Sequence, residues 1–560
     1  MLVRCRSSVV PPRCASISSQ RERCHLSGSI FNLGRDAMHI ARILEASANR
    51  YPDHTALVYE DRRWTYREWL SRVRRFAQAL SDLGVRPGDR VAFYVSTSEN
   101  SVTTFFACQF LGAVAVPMNF RLSPGEASHI LKDSGARILV YGRALTDNAL
   151  TIAEQVHSVH DYIGCAYDPS NIPQGHHHFD GLIENSLDRG EPRPVPTGDT
   201  ISSLVYTSGT TGRPKGVIHT HANDIAIAMN CVMEYSLRHD DRALHIAPLY
   251  HVGGMQAYFI PHLLVGGTNV VIGRYESERT LRTIAAERIT TLFAVPTQIQ
   301  EMLFHPDFAK FDVSSLRLVT TGGAAISSST MERVMAEFCP GIFNGYGMTE
   351  ASLTLMLHPE DALRKLGSCG KSTLISECRI ITDDPSREVP PDEQVSQGAI
   401  GQLIVRGPQA MTGYWNKPFE TQKKLKAGWI YTGDLFSQDE DGFYYFHGRA
   451  DDLIISGGEN IYPREVEEIL YRCPGVQEAS VVGLTDEKWG QIVAAFVVRS
   501  DPNLEAATLD AHVRGSPDLA SYKRPKRYEF LDALPTNPSG KVLKRELMAR
   551  YDRSSPEQVA

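Results

Sequence analysis

The feature of this chain that most constrains its fold is a regular alternation of helix and strand patterns that begins near residue 38. Residues 39–50 have a helical apolar period, and residues 55–60 form a short apolar strand pattern. Thr65 and Glu68 then have the spacing of a capping box at the start of a second amphipathic helix. The same alternation continues along the first half of the chain. It predicts an α/β fold with doubly wound parallel sheets and helices on both faces.

The second half of the chain adds two further units. After about residue 375, short strand patterns separated by turns predict a β-rich subdomain. The run Gly448-Arg-Ala-Asp-Asp452 predicts a domain boundary, and a compact α+β unit follows it. We therefore expect an N-terminal extension over residues 1–37, a large domain over 38–448 and a small C-terminal domain over 449–560 on a short hinge.

Composition excludes several classes of protein. The chain is 42% hydrophobic and 22% charged, which excludes disorder as its overall state. Its net charge of −7 argues against a general binder of nucleic acid or anionic membranes, because such a binder needs a surplus of basic residues. The 10 cysteines include no CxxC pair and indicate reduced thiols. No apolar run reaches about 18 residues, so no transmembrane helix is expected.

Two segments are harder to assign from sequence. Residues 168–196 are rich in His, Pro and Gly, and we expect a loop or linker there. Residues 1–37 hold six Arg and only two acidic residues, a composition typical of a mitochondrial transit peptide. However, Pro11 and Pro12 would break a targeting helix, and the helical pattern begins directly after Met38. A cytoplasmic location is therefore expected, with a mitochondrial location as the alternative.

The sharpest local motif is Tyr206-Thr-Ser-Gly-Thr-Thr-Gly-Arg-Pro-Lys-Gly216, which follows an apolar strand pattern. Its glycines let backbone amides approach a polyphosphate, and its hydroxyl groups can donate to phosphate oxygens. Lys215 adds a positive charge. The motif is not a Walker A loop, because Lys215 lies three residues after Gly212 and is followed by Gly216. The motif predicts a loop that binds phosphate groups.

This loop and seven further motifs resemble, in the same order, the signature motifs of the adenylate-forming superfamily. That superfamily includes acyl- and aryl-CoA synthetases, luciferases and the adenylation domains of peptide synthetases. The seven motifs are Pro248-Leu-Tyr-His-Val-Gly-Gly254, Thr321-Gly-Gly-Ala-Ala325, Asn344-Gly-Tyr-Gly-Met-Thr-Glu350, Tyr431-Thr-Gly-Asp434, Gly448-Arg-Ala-Asp-Asp-Leu-Ile454, Ser456-Gly-Gly-Glu-Asn-Ile-Tyr-Pro463 and Pro538-Ser-Gly-Lys541. The resemblance covers roughly residues 38–547. It implies that a carboxylate is coupled to the α-phosphate of ATP and that a thiol then attacks the acyl-adenylate.

The resemblance implies catalytic roles for four residues. Lys541 matches the mobile lysine that bridges the carboxylate and the α-phosphate in the first step. Glu350 would hold Mg²⁺, which prefers a carboxylate together with phosphates and water, and Thr349 would contact the α-phosphate. His251 matches a position between the acyl pocket and the thiol tunnel. For His251 a substrate contact and a satisfied core position both stay open.

The resemblance also implies a nucleotide site. Tyr346 would stack on adenine, Asp434 would accept hydrogen bonds from the ribose hydroxyls, and Arg449 would reach ribose or phosphate. The residues expected to bind ATP or AMP are Thr207, Ser208, Gly209, Thr210, Thr211, Gly212, Lys215, Gly323, Ala324, Gly345, Tyr346, Asp434 and Arg449.

A second set of residues is implied for the thioester-forming step. Asp451 matches the hinge about which the small, mobile C-terminal domain pivots between two poses. The loop that carries Gly457 and Gly458 would then leave room for a pantetheine arm. Trp489 and Arg524 resemble contacts to the CoA nucleotide, and the basic run around Arg524 suits a phosphate group.

The resulting hypothesis is an AMP-forming ligase that joins an aromatic or medium- to long-chain carboxylic acid to CoA. Its small-molecule partners would be the acid, ATP and CoA, with Mg²⁺ as cofactor and no nucleic acid. A homodimer is one option for its assembly. An enzyme that loads a separate carrier protein, a luciferase-like variant and a catalytically dead binding protein are the alternatives. Lys215, Glu350, Asp434 and Lys541 speak against the dead protein, since it would have no chemical need for all four.

Overall fold

The computed structural model describes residues 39–190, 196–207, 214–324, 326–384, 386–536 and 541–551. Within these ranges, two large mixed sheets form the main body of the molecule. The nine-stranded sheet has six parallel strands at its centre and antiparallel strands at both edges. Its strands lie in the order Lys371–Ser372, Ser352–Leu357, Ile342–Met348, Leu318–Gly322, Thr291–Phe293, Arg242–His245, Thr268–Val271, Thr55–Tyr59 and Arg62–Thr65.

The eight-stranded sheet is built in the same way. Its parallel part runs from the strand that precedes the phosphate-loop motif to the far edge, and two antiparallel strands close the other side. The order is Gly413–Tyr414, Lys215–Thr220, Ile201–Thr207, Val114–Pro117, Arg90–Tyr94, Ile138–Gly142, Asp161–Cys165 and His177–His178. The predicted α/β class with parallel sheets is confirmed.

Two five-stranded sheets follow the large ones along the chain. The third sheet is antiparallel and consists of Glu377–Ile381, Gly401–Arg406, Trp429–Gln438, Leu425–Lys426 and Tyr444–Arg449. It confirms the predicted β-rich unit. The fourth sheet consists of Glu459–Ile461, Ile454–Ser456, Gly490–Arg499, Val476–Asp486 and Arg527–Leu531. It forms a separate C-terminal domain with a hydrophobic core of its own.

Helices cover the faces of these sheets. The α-helices are Ile40–Arg50, Tyr66–Asp82, Glu99–Leu111, Pro124–Ser134, Thr146–Gln155, Phe179–Asn185, His221–Glu234, Ile260–Val265, Ser277–Glu287, Pro296–Leu303, Ser328–Arg333, Pro359–Ala362, Pro418–Lys424, Pro463–Tyr471, Ala506–Gly515 and Lys544–Tyr551. Short 3₁₀ segments lie at Arg143–Leu145, Pro169–Asn171, Phe308–Lys310, Ala450–Asp452 and Ser521–Lys523, and π-helical turns at Met255–Phe259 and Val334–Phe338. Among the described residues, none of these helices combines the length and the apolar character that crossing a membrane requires.

The main core lies between the two large sheets. One continuous hydrophobic cluster includes Leu57 of the nine-stranded sheet and Val91 of the eight-stranded sheet. The buried Trp69 packs edge-on against Phe106 at a centroid distance of 5.4 Å, and its Nε1 donates to Thr103 Oγ1 at 3.1 Å. Burying such large aromatic surfaces between layers fixes the relative placement of the sheets, and with it the strand ends that build the site.

Local sequence signals are confirmed where they depend on neighbouring residues only. The Thr65–Glu68 capping box is present, with the Thr65 hydroxyl accepting from the Glu68 N–H and the Glu68 carboxylate accepting in return. The helix predicted over 39–50 is observed as Ile40–Arg50. The residues 1–37 assigned to an extension lie outside the described ranges, and the domain boundaries at 37 and 448 stay predictions.

The loop expected over 168–196 is a correction, because it contains the helix Phe179–Asn185. Phe179 is fully buried and its ring lies 4.3 Å from that of Phe76. His178 caps the helix by accepting from the Gly181 N–H at 3.1 Å, and Asp180 pairs with Arg72. The high content of His, Pro and Gly hid a short helix whose apolar side chains have a tertiary partner.

Candidate active site

The candidate site begins where the strand Leu318–Gly322 ends beside the parallel strand Ile342–Met348. Gly322 and Gly345 are the last register partners of this pair. A Cβ atom on Gly322 would lie 2.5 Å from the carbonyl oxygen of Gly345, so a side chain there would clash with backbone. The predicted residues Gly323 and Ala324 follow directly, and Gly323 has a φ of 80°. The carboxyl ends of parallel strands are where such sheets bind ligands.

Tyr346, Asp434 and Arg449 meet beside these strand ends. The Tyr346 hydroxyl donates to Asp434 Oδ2 at 2.5 Å, and Arg449 Nη1 lies 3.4 Å from Asp434 Oδ1. Asp434 is only 7% exposed, and it is the register partner of Arg449 in the third sheet. Burial and the Asp434 charge raise the pKa of Tyr346 well above its usual value. Two sheets thus present a fixed phenol, carboxylate and guanidinium to one place.

Glu350 is held in the turn that follows Tyr346. The residue is 8% exposed, and its Oε1 accepts from the Tyr414 hydroxyl at 2.6 Å. The Glu350 carbonyl accepts from the Met411 N–H at 2.8 Å, and the Thr349 carbonyl lies 3.0 Å from His219 Nε2. Because the Tyr414 bond uses Oε1, the carboxylate keeps Oε2 as a candidate ligand for a hard cation. One oxygen ligand next to a phosphate site fits Mg²⁺.

The short helix Pro418–Lys424 brings two charged residues to the site. Its Glu420 accepts from Lys215 Nζ at 2.9 Å, and Lys215 also lies 5.5 Å from the centre of the Tyr414 ring. Its Lys424 donates to the Thr432 carbonyl at 2.7 Å. Burial lowers the pKa of Lys424, whereas the nearby Glu350 charge acts to raise it.

Sequence reasoning missed several of these residues. They are Tyr414, Met411, His219, Glu420 and Lys424. None lies in a motif of fixed spacing, and the only local signal was that Lys424 precedes the Tyr431-Thr-Gly-Asp434 motif by a few residues.

Lys541 lies close enough to Arg449, Asp434 and Asp452 for their charges to act on it. The pKa of its amine is lowered, first by loss of hydration and then by the Arg449 charge, while Asp434 and Asp452 act to raise it. Lys541, Asp434 and Arg449 therefore belong to one electrostatic cluster, although they are far apart in the sequence. The catalytic role of Lys541 stays a prediction.

The phosphate-loop motif is described only in part. Thr207 ends one strand of the eight-stranded sheet and pairs in register with Lys215 at the start of the next strand. This antiparallel pair holds both ends of the loop together and directs Lys215 towards Tyr414 and Glu420. The remaining predicted phosphate ligands Ser208, Gly209, Thr210, Thr211 and Gly212 lie outside the described residues.

His251 lies in a tight turn that follows the strand Arg242–His245 of the nine-stranded sheet, and its N–H donates to the Pro248 carbonyl at 3.3 Å. Its ring packs at 4.5 Å from the Tyr250 ring, and its buried Nε2 has no hydrogen-bond partner among the described residues. Burial lowers the pKa of His251 to about 4, so the imidazole is neutral at pH 7. Next to it, a Cβ on Gly253 would lie 3.3 Å from the ring of Phe293, a half-buried residue that the sequence did not indicate.

The residues predicted for the thioester step lie on the C-terminal domain and are more open. Gly457 and Gly458 have φ values of 62° and 86° at the tip between two strands. The Gly457 N–H donates to the Trp489 carbonyl at 2.8 Å, and Trp489 is 47% exposed. Arg524 is not part of this tip: its Nε lies 3.2 Å from Asp510 Oδ1. The hinge candidate Asp451 is exposed in the segment Ala450–Asp452.

Comparison with protein families gives two matches. The family described as AMP-binding enzyme matches residues 44–415, and the AMP-binding enzyme C-terminal domain matches residues 465–541. Together these ranges contain most of the residues discussed above.

Individual relatives match along nearly their whole length. The chain is 38% identical to a feruloyl-CoA synthase from Amycolatopsis sp. over 90% of this chain and 97% of that protein. It is 34% identical to a long-chain-fatty-acid–CoA ligase from Mycobacterium tuberculosis, over 89% of this chain and 95% of the relative. A solved structure of an anthranilate CoA ligase in complex with anthranoyl-AMP superposes with a TM-score of 0.85 at 28% identity, covering 92% of this chain and 97% of that one.

Proposed function

The chain belongs to the AMP-binding enzyme family, and from this premise we propose that it is an AMP-forming carboxylic acid–CoA ligase. In the first step a carboxylate oxygen attacks the α-phosphorus of ATP, and the bond to the departing pyrophosphate breaks. In the second step the CoA sulfur attacks the acyl carbon, and AMP leaves. The acid is an aromatic or medium- to long-chain carboxylic acid.

The observation that carries the proposal is the contact of Tyr346, Asp434 and Arg449, with Glu350 held four residues after Tyr346 and Lys541 within reach of the same charges. A nucleotide needs acceptors for its ribose hydroxyls and positive charge for its phosphates, and these residues supply both. Asp434 offers the carboxylate for the ribose, while Arg449 and Lys541 offer the cations. Mg²⁺, held by Glu350, would neutralise charge on the phosphates.

The substrate class is supported by the surroundings of His251. This imidazole is neutral, and next to it Gly253 packs against the aromatic ring of Phe293. Val252 also belongs to an apolar cluster with the buried Ala257 and Leu353. A pocket lined by these neutral and apolar side chains suits an uncharged acyl group. The names of the relatives, a feruloyl-CoA synthase and a fatty-acid–CoA ligase, support the same two classes.

The test is a ligation assay with purified protein, Mg-ATP, and a panel of benzoates, cinnamates and fatty acids of increasing length. We expect at least one acid to give acid-dependent AMP and pyrophosphate, with a thioester only when CoA is present. Asp434→Asn should weaken the reaction, whereas Asp240→Asn, at a side chain that is 66% exposed, should not. If no acid in the panel yields AMP, the proposal fails. AMP without a CoA thioester would favour a carrier protein as acceptor.

A further inference from the structure

Three buried polar side chains form a series of contacts that ends at the turn carrying Thr349 and Glu350. His219 Nε2 lies 3.0 Å from the Thr349 carbonyl oxygen, and its Nδ1 lies 3.5 Å from Asp224 Oδ1. The Ser202 hydroxyl lies 2.6 Å from Asp224 Oδ2. Ser202, His219 and Asp224 are all 0% exposed. None of the three was predicted from the sequence, and none has a described contact with Tyr346, Asp434 or Arg449.

Local structure holds these groups in place. His219 is in the strand Lys215–Thr220, which begins with the phosphate-loop lysine. Asp224 is in the first turn of the helix His221–Glu234, where the helix dipole favours an acidic side chain. Thr220 and Asn223 form a capping box at the start of this helix, and Asn223 Nδ2 also donates to the Pro408 carbonyl at 2.8 Å. The strand and the helix are therefore joined rigidly at the point where His219 and Asp224 face each other.

The donor and acceptor roles of these groups define the orientation of the His219 ring. A carbonyl oxygen only accepts, so the contact with Thr349 requires a proton on His219 Nε2. Asp224 Oδ2 accepts from Ser202, and Asp224 Oδ1 faces His219 Nδ1. At 3.5 Å from Nδ1, the Asp224 carboxylate lies against the ring edge opposite Thr349, and this placement keeps Nε2 turned towards the Thr349 carbonyl. Asp224 thereby ensures that Nε2 is the donor nitrogen towards Thr349.

The Thr349 carbonyl belongs to the peptide group that joins Thr349 to Glu350. On the other side of this turn, the Met411 N–H donates to the Glu350 carbonyl at 2.8 Å. Two successive carbonyls are therefore anchored, one by His219 and one by Met411. Anchoring them fixes the direction in which the Thr349 hydroxyl and the Glu350 carboxylate leave the backbone.

We propose that His219, oriented by Asp224 and Ser202, is a positioning residue for the adenylation step that holds the Thr349–Glu350 peptide in its productive geometry. This rests on the proposed function of the same site. His219 acts through Thr349 and Glu350, not on the substrate. Outer partners of this kind typically contribute roughly 10- to 100-fold to metal affinity or activity.

The neighbouring His221 offers a matched control. It is equally buried at 0% exposure and lies only two residues further along the chain. However, its Nδ1 accepts from the Ile40 N–H at 3.1 Å, so it anchors the first helix and not the Thr349 turn. Replacing either histidine removes one buried ring and its hydrogen bond to a backbone group, but only His219 contacts the turn that carries Glu350.

The experiment compares His219→Leu, His219→Gln, Asp224→Asn and His221→Gln in the full-length protein. Three quantities are measured for each: Mg-ATP binding by calorimetry, kcat and KM for ATP in acid-dependent pyrophosphate exchange, and the Mg²⁺ concentration that gives half-maximal exchange. Thioester formation from supplied acyl-adenylate is followed in parallel, and thermal unfolding checks the fold.

We expect His219→Leu to lower kcat for exchange by about tenfold and to raise the Mg²⁺ requirement, with thioester formation from acyl-adenylate unchanged. His219→Gln should recover most of this loss, because its amide can donate to the Thr349 carbonyl. The kcat of Asp224→Asn for exchange should lie between those of His219→Leu and His219→Gln. His221→Gln should lower the unfolding temperature and leave kcat and the Mg²⁺ requirement as they are.

Two results would overturn the positioning role. One is that folded His219→Gln loses as much exchange activity as His219→Leu. The other is that every variant changes both half-reactions by the same factor. If His219→Leu does not fold, His219→Gln and Asp224→Asn decide by the same criteria. If the wild-type protein exchanges no pyrophosphate with any acid, the proposed function itself fails. Calorimetry of Mg-ATP binding then still compares the four variants.

Discussion

The residues Tyr346, Glu350 and Asp434 of the large domain, here called the fixed cluster, and the Gly457–Gly458 tip of the C-terminal domain differ sharply in how they are held. In the cluster, Asp434 and Glu350 are buried, and each accepts a hydrogen bond from a tyrosine of another segment. At the tip, both glycines are exposed and their described contact is with the half-exposed Trp489 of the same domain. A fixed site suits charge development in the first step. An open tip suits a site that is completed only after the small domain moves.

The largest predicted effect, which tests the difference between the fixed cluster and the open tip, is that of replacing Lys541. If the fixed cluster is the adenylation site, Lys541→Ala should lower acid-dependent pyrophosphate exchange by roughly 10²–10³-fold, because a cation aimed at developing charge is lost. Thioester formation from supplied acyl-adenylate should be nearly unchanged. Single-turnover quench assays of each half-reaction measure both rates.

Lys544→Ala is the control for the Lys541 prediction. Lys544 lies three residues away and donates to Glu467 Oε1 at 2.9 Å and to the Val481 carbonyl at 3.0 Å, inside the C-terminal domain. Its loss should lower domain stability without separating the two half-reactions. Equal loss of both half-reactions in Lys541→Ala would contradict the assignment of Lys541 to the first step.

Sequence patterns predicted what depends on short-range chemistry. Helix starts such as the Thr65–Glu68 box follow from neighbouring side chains. The partners of Glu350 could not be found in this way, since Tyr414 and His219 come from segments far away in the chain. Their roles arise only when two sheets pack together. The same holds for Phe179, whose burial depends on a distant phenylalanine.

A smaller effect would sharpen the role of the fixed site. Lys424→Met removes a half-buried cation that donates to the Thr432 carbonyl at 2.7 Å near Glu350 and Asp434. We expect KM for ATP to rise by about tenfold, because the anionic phosphates would lose a nearby positive charge. The exposed neighbour Lys423, whose Nζ lies over the Phe419 ring at 4.3 Å, provides the control Lys423→Met. Steady-state kinetics decides, and equal KM values for the two variants would exclude Lys424 from the site.

At the open tip, Trp489→Ala should act on the second step only. Stacking of one base on an aromatic ring contributes roughly 1 kcal/mol, so KM for CoA should rise by about fivefold. Pyrophosphate exchange, which needs no CoA, should stay unchanged and serves as the internal control. A change in exchange but not in the CoA dependence would show that Trp489 belongs to the fixed site instead.

The smallest expected effect concerns the contact between the two regions. Arg464, in the first turn of the helix Pro463–Tyr471, donates through Nη2 to the Ile326 carbonyl of the large domain at 3.0 Å. It also pairs with Glu468, whose Oε2 accepts from the Ser328 hydroxyl at 3.4 Å. These contacts hold the C-terminal domain in a pose in which Lys541 is near Asp434. Arg464→Ala should therefore lower the rate of adenylation about two- to threefold relative to that of thioester formation, as expected for a partly exposed pair.

Arg472→Ala is the matched control for Arg464→Ala. Arg472 follows the same helix, but its partner at 2.8 Å is Asp518 within the C-terminal domain. Because this pair does not bridge the two domains, its loss should leave the ratio of the two half-reaction rates unchanged. If both variants change the ratio of the two rates equally, the contact between the domains does not determine the adenylation pose. The fold of the C-terminal domain alone would then determine this pose, and the exposed Gly457–Gly458 tip would be no more mobile than the fixed cluster. If only Arg464→Ala changes the ratio, the domain contact itself sets how long the enzyme stays in the adenylation pose.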